Sequence, residues 1–330
     1  MSNITIYKVE SYNKAYSKIF SGVYNDFRQR AFYDYNFELE PLTYENFINS
    51  IEKGILSCLI LFEDDIPTGF LAYTTLISES LELNIIHCIG NENLNQKRKL
   101  LLEKFLEINK HITREKIVTY PMLGKQSSFA QEIGEFGFKC VNTSVMAFNL
   151  SDITAINKLK ELLIIELPRD YSVTNWKMMY QKEAAEVVHQ AFKDSSDILF
   201  DSRFASVKGC KDIIEKITEN IYGQFLPSIT KVLLYKKHPV GFLFANLTNE
   251  RIANIPIAAI LKKHRNYGFG KVLLKNLTEN LITVAISQGW SLKEINASCD
   301  MDNKSSVTMY ESAGFTQKYS YPQAYLPKQH

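Results

Sequence analysis

The sequence predicts an α/β protein in which one fold, a mixed sheet flanked by helices, is used twice in tandem. Three observations carry this: a length of 330 residues, a hairpin pattern that occurs twice, and a matching order of strands and helices around each occurrence. A chain of that length holds two domains of ordinary size, each with its own core. It is 45% hydrophobic and 22% charged, as globular chains are.

The hairpins are "CLILFEDDIPTGFLAYTTL" (58–76) and "VLLYKKHPVGFLFANL" (232–247). Both read as strand, polar turn, strand, with β-branched and aromatic residues on either side of turn residues. Pro67 and Pro239 mark the turns, and each leads two residues later into Gly-Phe-Leu. An opening strand precedes each hairpin, "NITIYKV" (3–9) or "YSVTNW" (171–176), followed by a helix, "SYNKAYSKIFSGVY" (11–24) or "KEAAEVVHQAF" (182–192). After each hairpin comes a further apolar strand, "ELNIIHCIG" (82–90) or "ANIPIAAIL" (253–261), and then a helix. Leu274, Leu277, Leu281 and Val284 form one apolar stripe, as do Leu101, Leu102, Phe105 and Ile108. The short strands "EKIVTY" and "EINASCD" come next, and each half closes on a Gly-Phe pair, Gly137-Phe138 or Gly314-Phe315. The reading divides the chain into residues 1–150, a connecting segment 151–168 containing a helix that ends before Pro168, and residues 169–330.

Composition narrows the function classes. The net charge is +2, from 38 basic and 36 acidic residues, which gives no electrostatic case for nucleic acid. No apolar run approaches the roughly 20 residues that span a bilayer, so no membrane partner is expected. The N-terminus lacks the basic and apolar regions of a signal peptide, and a cytoplasmic location is expected. Cys58, Cys88, Cys140, Cys210 and Cys299 form no CxxC pair and read as reduced thiols. Six histidines without metal-ligand spacing predict no metal site.

The chemistry concentrates in "RNYGFG", residues 265–270, between an apolar strand and the leucine-striped helix. A helix N-terminus exposes unpaired N–H groups and partial positive charge. Glycines there let backbone approach an anion closely. Arg265 and Lys271 add charge, so the stretch suits a pyrophosphate. The dinucleotide fingerprint fits poorly, because a third glycine and a following acidic strand end are missing.

Arg265-Asn266-Tyr267-Gly268-Phe269-Gly270 resembles the R/Q-x-x-G-x-G/A motif of the GNAT superfamily of acyl-CoA-dependent N-acyltransferases. Ile260 lies five residues before Arg265, and Asn303, Tyr310 and Gly314-Phe315 are similar to the family's second pattern. The resemblance implies two tandem GNAT-like domains, each with a mostly antiparallel sheet, and acetyl-CoA or another acyl-CoA as co-substrate. It implies that backbone groups of Ala258 and Ile260 pair with the pantetheine arm, and that the N–H groups of Asn266, Tyr267, Gly268, Phe269, Gly270 and Lys271 hold the pyrophosphate. Tyr310 would be the general acid toward the leaving thiolate, since a phenol of pKa about 10 can protonate a forming thiolate. Asn303 also suits a helix N-cap. Where many family members carry a strand glutamate as base, this chain has Asn254; Glu250 and Asp300 are the nearby carboxylates.

The first half keeps the rhythm and loses the residues. Near Gly90 there is no Gly-x-Gly, Glu92 stands where phosphate would lie, and Ile133 and Gln126 occupy the tyrosine and asparagine positions. It reads as a degenerate, non-catalytic copy that shapes the acceptor site through residues 26–41, with Arg28, Arg30, Tyr33, Asp34 and Tyr35; residues 194–204 are the matching segment of the second half. The expectation is an N-acyltransferase acting by direct attack on a primary amine of a small molecule or peptide, as a monomer or homodimer. Two alternatives stay open: a CoA-binding regulatory module without catalysis, and transfer of a longer acyl group.

Overall fold

Strands that read as unbroken apolar runs need cover on both faces of their sheet. This computed structural model of the chain supplies that cover in each of two compact units, Met1–Val141 with Tyr321–His330, and Asn142–Ser320. It describes residues 5–75, 80–199 and 201–328; Asn3, Ile4, Leu76 and Phe200, used in the sequence reading, lie outside the described residues.

The first unit runs β1 (Tyr7–Ser11), α1 (Ser17–Tyr35), α2 (Tyr44–Glu52), β2 (Ser57–Glu63), β3 (Ile66–Thr74), β4 (Ser80–Cys88), α3 (Leu94–Ile108), α4 (Ile112–Glu115), β5 (Ile117–Pro121) and α5 (Ala130–Ile133). Strands β1 to β4 pair antiparallel in chain order, β4 and β5 pair parallel, and residues 323–326 pair antiparallel with β5. The two-residue period of a strand separates the faces. Leu59, Leu61 and Leu71 pack with Leu101, Leu102 and Phe105 of α3, whereas Ile60, Phe62 and Phe70 pack with Phe20, Tyr24 and Phe27 of α1 and Phe47 of α2.

One buried polar chain crosses this unit. His87 is 1% exposed; its Nδ1 lies 2.7 Å from the Tyr35 hydroxyl and its Nε2 3.0 Å from Asp26, which also meets Arg30 at 3.0 Å. Burial holds the His87 imidazole below its ordinary pKa, opposed by Asp26 and aided by Arg30 and Arg98.

The second unit runs β6 (Lys139–Asn149), α6 (Ile153–Glu161), β7 (Tyr171–Asn175), α7 (Gln181–Phe192), α8 (Val207–Thr218), β8 (Gln224–Phe225), β9 (Lys231–Tyr235), β10 (His238–Leu243), β11 (Asn246–Asn249), β12 (Ile252–Ile255), β13 (Ala258–Ile260), α9 (Phe269–Gln288), β14 (Glu294–Asp300), α10 (Lys304–Ser312) and β15 (Thr316–Leu326). Residues 143–149 pair with β14, and the far end of β15 pairs with β5. Each pairing lies within one unit, because residues 142–149 of the first sequence half belong to the second unit and residues 321–326 of the second half belong to the first; the unit boundaries thus fall at 141 and 320 rather than at 150 and 168. Helix α6, read from the sequence as a connection, lies inside the second unit, with Ala155 and Leu159 in its core; Asp152 caps it, its carboxylate accepting from Thr154 N–H at 2.8 Å.

The predicted strand 253–261 is two strands. Ile252–Ile255 pair parallel with residues 294–297 of β14, while Ala258–Ile260 pair antiparallel with β10. Pro256, between them, cannot donate to a ladder. Ala253 and Ile255 pack on the α9 side, whereas Ile257 and Ala259 pack with α7 and α8. The backbone has turned across the proline, and β14 no longer pairs with the residues beyond it.

The repeated glycines have one shared cause. A Cβ on Gly69 would lie 2.8 Å from Cys88 Sγ, and one on Gly241 would lie 2.9 Å from Ile260 Cγ1 and 3.1 Å from Ala259 O. Each glycine lets the hairpin close on the strand after it. Gly241→Ala is expected to cost about 1–3 kcal/mol in urea unfolding through overpacking. Gly22→Ala, in helix α1 with nothing within 4 Å, should instead gain about 0.5–1 kcal/mol. Because His87 protonates more readily unfolded than folded, its contribution is complete above about pH 6.5 and is lost as pH falls below that. Urea unfolding between pH 7 and pH 5 should show that loss, and a His87→Asn variant, weaker at pH 7, should show a smaller one.

Candidate functional site

The splay between β13 and β14 leaves a strand edge open. Phe244 N–H donates to Ile257 O at 3.0 Å and Leu261 N–H to Val240 O at 2.9 Å, so residues 257 and 261 face β10. Backbone groups alternate along an antiparallel pair. Those of Ala258 and Ile260 therefore face away from β10, toward the side that β14 has left. Arg265 Nε donates to Ile260 O at 2.7 Å, and its other arm reaches Ala191 O at 2.8 Å. The Arg265 guanidinium thus joins the strand end to α7, while the N–H and C=O of Ala258 and the N–H of Ile260 stay on the open edge.

The glycine loop adjoins this edge. Gly268 is the N-cap of α9 with φ +79°, a left-handed conformation that costs a non-glycine residue about 1–2 kcal/mol. Among the described residues, the backbone N–H groups of Asn266, Tyr267, Gly268, Phe269 and Gly270 have no acceptor. The Lys271 N–H does have one, donating to Gly268 O at 3.1 Å, so the predicted run of six donors is a run of five. The first turn of α9 carries no acidic residue and begins with Lys271, whose side chain has no carboxylate partner among the described residues. A cation at a helix N-terminus opposes the dipole, unless an anion sits there. A Cβ on Gly270 would lie 2.6 Å from Met309 Sδ, so this glycine lets α9 and α10 approach.

These groups surround a cavity of about 320 Å³ lined by Ala258, Ile260, Gly268, Gly270, Lys271 and Asn303 among others. Asn303 caps α10, accepting from Ser306 N–H at 3.1 Å. The Phe269 ring is core, 4.4 Å from Tyr171, and only its backbone is free to serve a ligand; Tyr267 is largely exposed and stacks on Phe269. Tyr310 is 2% exposed, its ring 5.3 Å from Phe315, and its hydroxyl has no hydrogen-bond partner among the described residues. Burial raises its phenol far above the ordinary range, with neighbouring Cys299 adding to the shift, so the group stays protonated at physiological pH.

The carboxylate candidates separate. Glu250 is exposed in the turn between β11 and β12. The Asn254 amide donates to the Thr248 hydroxyl. Asp300, 8% exposed at the end of β14, accepts from the Ser196 hydroxyl and from Asp302 N–H at 2.9 Å. Two cavity-lining groups were missed by sequence reasoning. Asp197 stands in a 3-10 turn within the segment 194–204. His264 is 4% exposed, with Nδ1 2.7 Å from the Tyr171 hydroxyl and Nε2 buried without a partner among the described residues. Neither belongs to a spaced motif. Among the described residues no three His, Cys, Asp or Glu side chains gather as a metal site, and no helix is long and apolar enough to cross a membrane.

The first unit shows what closes such an edge. By the register of the two Gly-Phe-Leu segments, Ile86 is the counterpart of Ala258. Its N–H is taken by Gln126 Oε1 at 3.1 Å, which also accepts from the Tyr120 hydroxyl. Arg98, 2% exposed, reaches Ser128 Oγ at 3.0 Å and Lys125 O at 3.2 Å. Of the acceptor-wall candidates, Phe27 and Tyr35 are core, Arg28 pairs with Glu40, Asp34 pairs with Lys125 at 2.9 Å, and Tyr33 is exposed.

No family model and no curated protein matches the sequence. Solved structures do. A GCN5-related N-acetyltransferase from Sphaerobacter thermophilus is similar over 98% of this chain and 96% of its own, with TM-score 0.64 and 14% identity. A tandem GNAT protein from the clavulanic acid biosynthesis pathway is similar over 98% and 99%, with TM-score 0.61 and 11% identity. The fold is the tandem GNAT fold. A glucosamine N-acetyltransferase region of a fungal multi-domain β-N-acetylglucosaminidase is also similar, over 98% of this chain and 38% of that one, with TM-score 0.60 and 10% identity.

Proposed function

We propose that the second unit transfers an acyl group, acetyl first among them, from acyl-CoA to a primary amine of a small molecule or peptide. The observation that carries this reading is the junction of an open strand edge at Ala258 with five unpaired N–H groups and Lys271 at the start of α9. The edge suits the amides of a pantetheine arm, and the loop suits a pyrophosphate. The amine acceptor is drawn from the N-acetyltransferases among the similar structures.

The reaction is a direct displacement. The neutral amine nitrogen attacks the thioester carbonyl carbon, the C–N bond forms, and the C–S bond breaks. Tyr310 gives its phenolic proton to the departing thiolate. Burial keeps the phenol in its protonated form at neutral pH. The first unit takes no part in acyl-CoA binding, because Gln126 already occupies the edge donor at Ile86.

The second reading, binding without catalysis, has one observation in its favour: Asn254, bonded to Thr248, cannot accept a proton. A thiol-release assay with acetyl-CoA and a panel of primary amines separates the two. Thiol release dependent on amine is expected. Tyr310→Phe should lower kcat by about 10²-fold with acetyl-CoA affinity changed little. Binding of acetyl-CoA without release for any amine would favour the second reading, and no binding at all would remove both.

A further inference from the structure

The proposed reaction needs a neutral amine, and an alkylamine is protonated at pH 7. The expected strand base is absent, since Asn254 is an amide bonded to Thr248. The cavity itself supplies a replacement. Among the described residues lining it, Asp197 is the one carboxylate. It shares the cavity with Ala258 on the open edge and Gly268, Gly270 and Lys271 at the start of α9.

The surroundings hold Asp197 in place. Its own backbone carbonyl accepts from Asp201 N–H at 2.9 Å, closing a turn. The preceding residue, Ser196, donates its hydroxyl to Asp300 at the end of β14. Asp300 is fixed in turn by Asp302 N–H. The segment carrying Asp197 is therefore tied to the strand that splays away from β13. The same parting that opens the edge positions the carboxylate.

The electrostatics fit a proton acceptor. Burial raises the Asp197 carboxyl above the ordinary carboxylate range; the Ser195 hydroxyl opposes this and the Asp300 charge adds to it. Ser195 also lines the cavity, as do the cationic groups Arg265 and Lys271 and the buried His264; Cys299 stands beside Asp300 on β14. A carboxylate drawn toward neutral pH is a better base for an ammonium than one at its ordinary value.

We propose that Asp197 is the general base of the acyl transfer, accepting the proton of a cationic amine acceptor, with Asp300 as its positioning residue. This rests on the acyl-transfer reading above. The proton balance closes. The ammonium gives one proton to the Asp197 carboxylate and becomes the attacking amine. The new C–N bond forms as the C–S bond breaks, and the thiolate receives the Tyr310 proton. The amide nitrogen loses its second proton to solvent, and Asp197 and Tyr310 exchange their proton difference through solvent before the next turnover.

The test compares wild type, Asp197→Asn and Asp197→Glu, using acetyl-CoA with the best alkylamine of the panel and with phenylhydrazine, a weakly basic acceptor that is neutral at pH 7. Calorimetric titration with acetyl-CoA first establishes that each variant is folded and binds within about twofold of wild type. With the alkylamine at pH 7, Asp197→Asn should lower kcat by about 10²-fold, and the loss should shrink as pH rises and the amine deprotonates by itself. Asp197→Glu should keep part of the activity, and phenylhydrazine transfer should fall far less than alkylamine transfer. Asp300→Asn should lower kcat and move the acidic limb of the pH profile without touching acetyl-CoA binding. Equal kcat for Asp197→Asn and wild type at pH 7, or equal losses for both acceptors at every pH, would overturn the assignment of Asp197 while leaving acyl transfer standing. Wild type inactive with every amine would overturn both, before any variant is compared.

Discussion

The parting of two parallel strands governs the site. Strands β12 and β14 pair only as far as Ile255 and Ala297; beyond Pro256 the first of them joins β10 instead. Ala258 is exposed, so its backbone groups meet solvent until a ligand takes them. The rest of the site depends on that edge. The loop after Ile260 delivers the start of α9 beside it. Arg265 ties off the Ile260 carbonyl, and Ser196 with Asp300 holds the segment that bears Asp197.

The first unit is a natural control. It carries the same hairpin, the same close-approach glycine and the same parallel pairing between β4 and β5, which reaches only from Ser80 to Glu82 on β4. There the edge donor at Ile86 is satisfied internally by Gln126. The buried Arg98, bonded to Ser128 and Lys125, stands in the same region. The halves thus differ in which group satisfies the strand edge as well as in the missing glycine loop.

Much of this was legible in the sequence, for identifiable reasons. The paired Gly-Phe-Leu segments gave the repeat away because both glycines answer the same steric demand. Strand β14 spans the expected Glu294 to Asp300, with Asn296 and Asp300 buried as well as Ile295, Ala297 and Cys299, and Leu274, Leu277 and Leu281 are buried as the stripe requires. Other features were hidden. Residues 253–261 read as one strand, because Pro256 breaks a ladder without breaking the apolar pattern. The helix Val207–Thr218 carries a clear stripe of Cys210, Ile213, Ile214 and Ile217 that the repeat comparison passed over. The traded last strands could not be read, since strand partners are non-local and a pattern of alternation names a face, not a neighbour. Asp197 and His264 carry no spacing signal; only the fold brings them to the cavity.

In the proposed reading one strand edge and one loop, both in the second unit, take the acyl-CoA. Amide hydrogen exchange with and without saturating acetyl-CoA tests it most directly. Slowed exchange confined to residues 258–271, with residues 86–98 unchanged and one ligand bound per chain, is the predicted result. Protection at residues 86–98, or binding that leaves 258–271 unaffected, would contradict it.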